Sequence, residues 1–179
     1  MKIAILGYSG SGKSTLAREL GALYGLPVLH LDSVQFLPGW QIRDREEAQG
    51  MVRAFLDTHA EWVIDGSYRR FAQEERLEQA DRIVLMLFPR LVSLFRCWKR
   101  YRKYRNTTRE DMSPGCPEKL DAEFVRWILW EGRTRGIRAH YRRIAKQYAE
   151  KTVILRSQRQ IDRFVRSCRD SRPPEQNAG

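Results

Sequence analysis

Between a strand-like run and a helix-like run, the chain carries Gly7-Tyr8-Ser9-Gly10-Ser11-Gly12-Lys13-Ser14, which has the G-x-x-x-x-G-K-[ST] spacing of a phosphate-binding loop. Few short motifs restrict a fold so strongly. The loop works only where a buried parallel strand feeds a helix N-terminus, because backbone N–H groups must converge there on phosphate oxygens. Both flanks meet that condition. Lys2-Ile3-Ala4-Ile5-Leu6 is a short apolar run ending directly at Gly7. From Ser14 onward, Leu16, Ala17, Leu20 and Leu23 recur at helical spacing until Gly25 and Pro27 stop the pattern. The expected phosphate cradle is therefore Gly7, Tyr8, Ser9, Gly10, Ser11, Gly12, Lys13, Ser14 and Thr15. Lys13 is expected to reach the β- and γ-phosphates of ATP, and the Ser14 hydroxyl to ligate Mg²⁺.

Three further apolar runs end near a carboxylate or a proline: Pro27 to Asp32, Trp62 to Gly66, and Asp81 to Phe88, the most continuous of them. With Thr152-Val153-Ile154-Leu155 and the helical stretches between, they predict an α/β chain. The pattern is a three-layer P-loop NTPase fold with a mostly parallel sheet, helices on both faces and a basic helical lid. A length of 179 residues and 42% hydrophobic content suit one domain over 1–170, with 171–179 expected to be a disordered tail. Ligands of such sheets bind at the carboxyl ends of the strands, which places Asp32 and Asp65 in the same crevice as the loop. Asp65 has the Mg²⁺ role open to it, directly or through water. Asp32 reads equally as a ligand for an acceptor hydroxyl or as a cap for the residues after it. Arg69 and Arg70 follow the third strand, and Arg69 suits an acceptor phosphate. The segment Gln35 to Trp40 reads as a loop. Asp44 to Thr58 reads as a helix with Ala48, Met51 and Phe55 on one side.

The net charge of +11 and a sequence pI near 10.0 imply an anionic partner. The charge concentrates in Arg90 to Arg109, which holds eight Lys and Arg and no acidic residue. There Leu91, Leu94, Phe95 and Trp98 form an apolar helical stripe, and Arg96 and Arg100 fall one turn apart, placed to close over phosphates. Asn106 to Leu120, punctuated by Pro114, Gly115 and Pro117, reads as a mobile loop, and the lid spans about 90–135. A long helical stretch from Asp121 to Glu150 is weakened by Gly132 and Gly136. It offers Arg126, Arg133, Arg135 and Arg138 as further phosphate contacts. Cys97, Cys116 and Cys168 lack disulfide-like or metal-ligand spacing, so reduced thiols and a cytoplasmic protein are expected. No run of eighteen apolar residues occurs, and no membrane partner is expected.

The chain resembles the P-loop nucleoside and nucleotide kinases and, within them, the topology modulation protein family. The resemblance covers roughly residues 1 to 156, through Gly7 to Ser14, Leu29-His30-Leu31-Asp32, Trp62-Val63-Ile64-Asp65-Gly66 and Gly115-Cys116-Pro117-Glu118-Lys119-Leu120-Asp121. A more distant likeness to adenylate kinases lies in Asp65-Gly66-Ser67-Tyr68-Arg69. It implies Mg²⁺-water contact at Asp65 and acceptor phosphate at Arg69, with Tyr68 standing where that family has proline. The same likeness implies that Arg96 and Arg100 hold the donor's terminal phosphates. The expected activity is ATP- and Mg²⁺-dependent phosphoryl transfer to a small acceptor such as a nucleoside or nucleoside monophosphate. The family label also implies DNA, so the alternatives are a nucleotide-regulated, nucleic-acid-associated protein or a simple NTPase. No helix-turn-helix or zinc-finger signature supports a DNA reader.

Overall fold

A computed structural model of the chain describes residues 1–105, 107–108 and 111–171. β1 (Lys2–Gly7) leads through the phosphate loop into α1 (Lys13–Tyr24), which stops where Gly25 turns left-handed at φ 66°. β2 (Val28–His30) and the short α2 (Leu31–Gln35) follow, then a small antiparallel hairpin of β3 (Phe36–Leu37) and β4 (Gln41–Ile42). α3 (Arg45–Thr58) is capped by the Asp44 carboxylate and leads to β5 (Trp62–Asp65), α4 (Gln73–Gln79) and β6 (Arg82–Met86). α5 (Arg90–Tyr104), α6 (Ala122–Leu129), α7 (Arg135–Gln147), β7 (Thr152–Leu155) and α8 (Gln158–Asp170) complete the order.

The five longer strands form one sheet in the order β2-β5-β1-β6-β7, with every pairing parallel. Alternation along β1 sends Ile3 and Ile5 to one face and Ala4 and Leu6 to the other. On the first face they pack with Leu16, Leu20, Phe164 and Val165 of α1 and α8. On the second they pack with Val34, Val52, Tyr141 and Ile144 of α2, α3 and α7. The result is three layers around a sheet buried on both sides, the P-loop fold that the motif and its flanks predict.

Several local expectations are corrected. The second strand ends at His30, so Asp32 sits in the first turn of α2 rather than at a strand end. The segment after Gln35 pairs as a hairpin around Pro38–Trp40. α3 buries Ala48, Val52 and Leu56, an i, i+4, i+8 row, leaving Met51 exposed. The long C-terminal helix is two helices, broken by a tight turn at Glu131–Arg133 that includes Gly132. Residues 111–118 form a docked strap instead of a mobile loop, with Asp111, Met112, Ser113, Cys116 and Glu118 buried. Ser113 Oγ donates to the Ser33 carbonyl (2.9 Å), Cys116 Sγ to Leu37 (3.2 Å) and Trp40 Nε1 to Pro117 (3.1 Å). These bonds run in both directions and tie the strap to α2 and to the hairpin. Arg109 and the tail from 172 to 179 lie outside the described residues.

Candidate active site

Three glycines with positive φ shape the loop: Gly7 at 145°, Gly10 at 75° and Gly12 at 94°. Side chains are excluded there by contact as well as by conformation. A Cβ on Gly7 would lie 2.2 Å from the Met86 carbonyl oxygen, and one on Gly10 would lie 2.6 Å from Cys97 Sγ and from the Ser93 oxygen. The loop therefore lies hard against β6 and α5. Ser11 Oγ donates to the Tyr8 carbonyl at 2.8 Å, and Lys13 Nζ reaches across to the same oxygen at 3.2 Å. A loop turned by three positive-φ glycines, with the Lys13 ammonium reaching back across it, fits a nucleotide's phosphates.

Asp65 ties the loop to the neighbouring strands. β1 and β5 run in register with Ile5 beside Asp65, and β5 and β2 with Asp65 beside His30. That register lets the Ser14 hydroxyl donate to Asp65 Oδ2 at 2.9 Å while His30 Nδ1 meets Oδ1 at 2.5 Å. Burial is the largest influence on His30 and lowers its pKa, but the hydrogen bond and charge of Asp65, with Asp111 behind them, outweigh it and leave the pKa raised. A hydroxyl and a carboxylate at this spacing, beside a phosphate cradle, form a donor set suited to Mg²⁺.

A second polar cluster begins one strand-end further on. Tyr68 donates through its hydroxyl to Asp32 Oδ1 at 2.7 Å, so the tyrosine that replaces proline becomes the partner of the α2 carboxylate. Burial, then the charge of Asp32, pushes the Tyr68 phenol far above its ordinary value and keeps it a donor. Ser67 is saturated: its hydroxyl donates to the Gly7 carbonyl and accepts from the Gly7 N–H and the Tyr141 hydroxyl, all within 3.1 Å. Arg76, fully buried on α4, donates to the carbonyls of Phe71 (2.8 Å) and Tyr68 (3.0 Å) and so pins the loop that carries both residues. Burial lowers its pKa to about 10, a fall that the charge of Asp65 opposes, and the guanidinium stays charged. Arg69 is exposed, beside His140, whose pKa is lowered by burial and then by Arg69 and Arg143.

The structure separates Arg96 and Arg100, the two arginines expected to close over phosphates. Arg96 comes to the phosphate loop, with a guanidinium nitrogen 2.5 Å from where a Gly12 Cβ would stand. It lies over the Phe88 ring at 5.0 Å and donates to Gln158 Oε1 at 2.7 Å. Arg100 points instead to the strap, where it pairs with the buried Glu118 at 2.6 Å. Arg133 is likewise buried, donating to the carbonyls of Ile128 and Phe88 and to Ser93 Oγ, with its guanidinium 3.9 Å above the Tyr8 ring. It braces the loop from outside. His30, Ser67, Arg76 and Tyr141 escaped the motif reading, since each is placed by strand register or by tertiary contact. Trp127, whose Nε1 donates to Ser9 Oγ at 3.3 Å, escaped it for the same reason.

No protein-family model matches the chain, and no curated protein matches it in sequence. Solved structures do match. A shikimate kinase from Acinetobacter baumannii in complex with shikimate aligns over 93% of this chain and 89% of its own, with a TM-score of 0.56 and 18% identity. Shikimate kinase from Bacteroides thetaiotaomicron aligns over 95% and 96%, with a TM-score of 0.50 and 18% identity. At that identity the likeness is one of fold, and it extends over nearly the whole chain: the architecture is that of these P-loop kinases.

Proposed function

We propose that this protein transfers a phosphoryl group from Mg·ATP to a small acceptor. The observation that carries the reading is the convergence, at one sheet edge, of the phosphate loop, the Ser14–Asp65 pair and the Asp32–Tyr68 pair. In this reading Gly7 to Thr15 hold the phosphates, while Ser14 and Asp65 hold Mg²⁺, Asp65 through water where the Ser14 contact persists. Bound Mg·ATP supplies the phosphoryl group and the neutralising cation. Lys13 exchanges the Tyr8 carbonyl for phosphate oxygens, and Arg96 adds a second cation from α5. Arg100 acts through Glu118 by holding the strap, and meets phosphate only if that pair opens. Asp32, oriented by Tyr68, accepts a hydrogen bond from an acceptor hydroxyl, and Arg69 receives an anionic group on the acceptor.

Nucleosides and nucleoside monophosphates are acceptors of this description. So are hydroxylated carboxylic acids, the chemical class of the shikimate named with one structural neighbour. The resemblance to topology modulation proteins rests on the motif strings and is read here as kinship, with phosphoryl transfer as the activity. The test is acceptor-stimulated ADP release across that panel, run with Asp32→Asn beside the unmodified protein. The variant is expected to retain ATP affinity within about threefold and to lose acceptor-stimulated turnover by about a hundredfold. Equal loss of ATP affinity and turnover would assign Asp32 to the fold or the metal instead.

A further inference from the structure

Of the apolar stripe of α5, Leu91, Phe95 and Trp98 face solvent beside Val92, while Leu94 is half-buried. Leu91 is 70% exposed, Phe95 53%, Val92 43% and Trp98 41%, and together they account for half of the large hydrophobic side chains left exposed among the described residues. The inward face of the helix is set by close approach: Ser93 and Cys97 are small enough to admit the phosphate loop, and Arg96 and Arg100 turn inward beside them. The outer face then carries Leu91, Val92, Phe95 and Trp98, preceded by the exposed Arg90 and interleaved with Lys99 and Arg102. Lys99 lies over the Phe95 ring at 5.2 Å, and Arg102 over Trp98 at 5.0 Å. Lys103 and Arg105 continue the charge, and the helix holds no acidic residue.

We infer that the outer face of α5 docks on an anionic lipid surface, with Leu91, Val92, Phe95 and Trp98 entering the headgroup boundary and Lys99 and Arg102 engaging lipid phosphates. Among the described residues no helix is long and apolar enough to cross a membrane, so this contact lies in the interfacial plane. Two rival occupants fit less well. A second copy docked on a two-fold axis would set this cationic helix against itself. Single-stranded nucleic acid would need open ring faces for its bases, but Phe95 and Trp98 stack on each other (5.7 Å, 24°) and Lys99 and Arg102 lie over them. Aliphatic Leu91 and Val92 offer nothing to bases and much to acyl chains. The inference does not depend on the proposed phosphoryl transfer.

The test is cosedimentation of the full chain with vesicles of phosphatidylcholine and phosphatidylglycerol, against phosphatidylcholine alone. Binding is expected to be at least about tenfold stronger on the anionic vesicles and to weaken with salt. The double variant Leu91→Ser with Phe95→Ser, altered only at exposed positions, is expected to lose about tenfold or more of that binding with its melting temperature unchanged. A blue shift of tryptophan emission on anionic vesicles, absent in Trp98→Phe, provides a check that leaves the rest of the patch intact. Three results would overturn the inference. The first is no preference for anionic vesicles. The second is vesicle binding with no Trp98-dependent shift and no effect of the serine pair. The third is binding of a thymidine homopolymer that is tighter than vesicle binding and lost in the serine pair.

Discussion

Gly10 shows how little room a phosphate loop leaves for chemistry other than backbone. Its φ of 75° is costly for any L-residue, and the missing Cβ is the space in which Cys97 and Ser93 sit. Gly10→Ala is therefore expected to weaken Mg·ATP binding at least about tenfold by calorimetry, because the loop must leave its seat on α5. Unchanged affinity would show that the loop adapts. The two buried-side histidines make an opposite pair. His30, held by Asp65, is expected to titrate above the unperturbed 6.5, and His140, lowered first by burial and then by Arg69 and Arg143, below it. Stability from the His30 pair is complete below 6.5 and is lost as pH rises through the folded-state pKa. The His140 contribution holds above 6.5 and is lost as pH falls through its own. Imidazole resonances followed by NMR check the order, and the reverse order would contradict the contacts described. At this scale the sequence is legible where a motif dictates conformation, as at Gly7 to Ser14. It is silent where a partner arrives from another strand: nothing near His30 in the chain announces Asp65.

Elements sort themselves by what they can approach. The strands of the sheet were readable because apolar runs suit a sheet covered on both faces, and their carboxyl ends could be placed before their neighbours were known. α5 was misleading. Its apolar stripe has the period of a buried face, yet small side chains and two arginines line the side that packs, since only they fit against the loop and the strap. The strap itself carries Pro and Gly, the composition of a loop, and its order comes from hydrogen bonds to another short segment and from the Arg100–Glu118 pair. That pair joins α5 to the strap with the Glu118 side chain only 4% exposed. Arg100→Met removes one partner of this buried ion pair and is expected to cost about 3 kcal/mol in urea unfolding. A variant as stable as the parent would mean that the strap is held by its hairpin contacts alone.

For the molecule as a whole, the parallel order β2-β5-β1-β6-β7 is what assembles the site. It sets the loop after β1 beside the end of β5, and the end of β5 beside β2, so that residues from three separate stretches of sequence meet at one edge. At that edge Lys13 and Arg96 supply cations beside the loop. Fold class is legible because one motif fixes it, and the same motif carries the proposed nucleotide side of the site. The proposed acceptor side could be read only as carboxylates and arginines at strand ends, since Tyr68, the α4 arginine and the strap meet only in the folded chain. The most direct measurement is ADP formation from Mg·ATP with and without an acceptor, comparing the unmodified protein with Lys13→Ala. Phosphoryl transfer predicts turnover that requires an acceptor and falls by at least about a thousandfold in the variant. Acceptor-independent turnover, or acceptor-dependent turnover that survives Lys13→Ala, would contradict it.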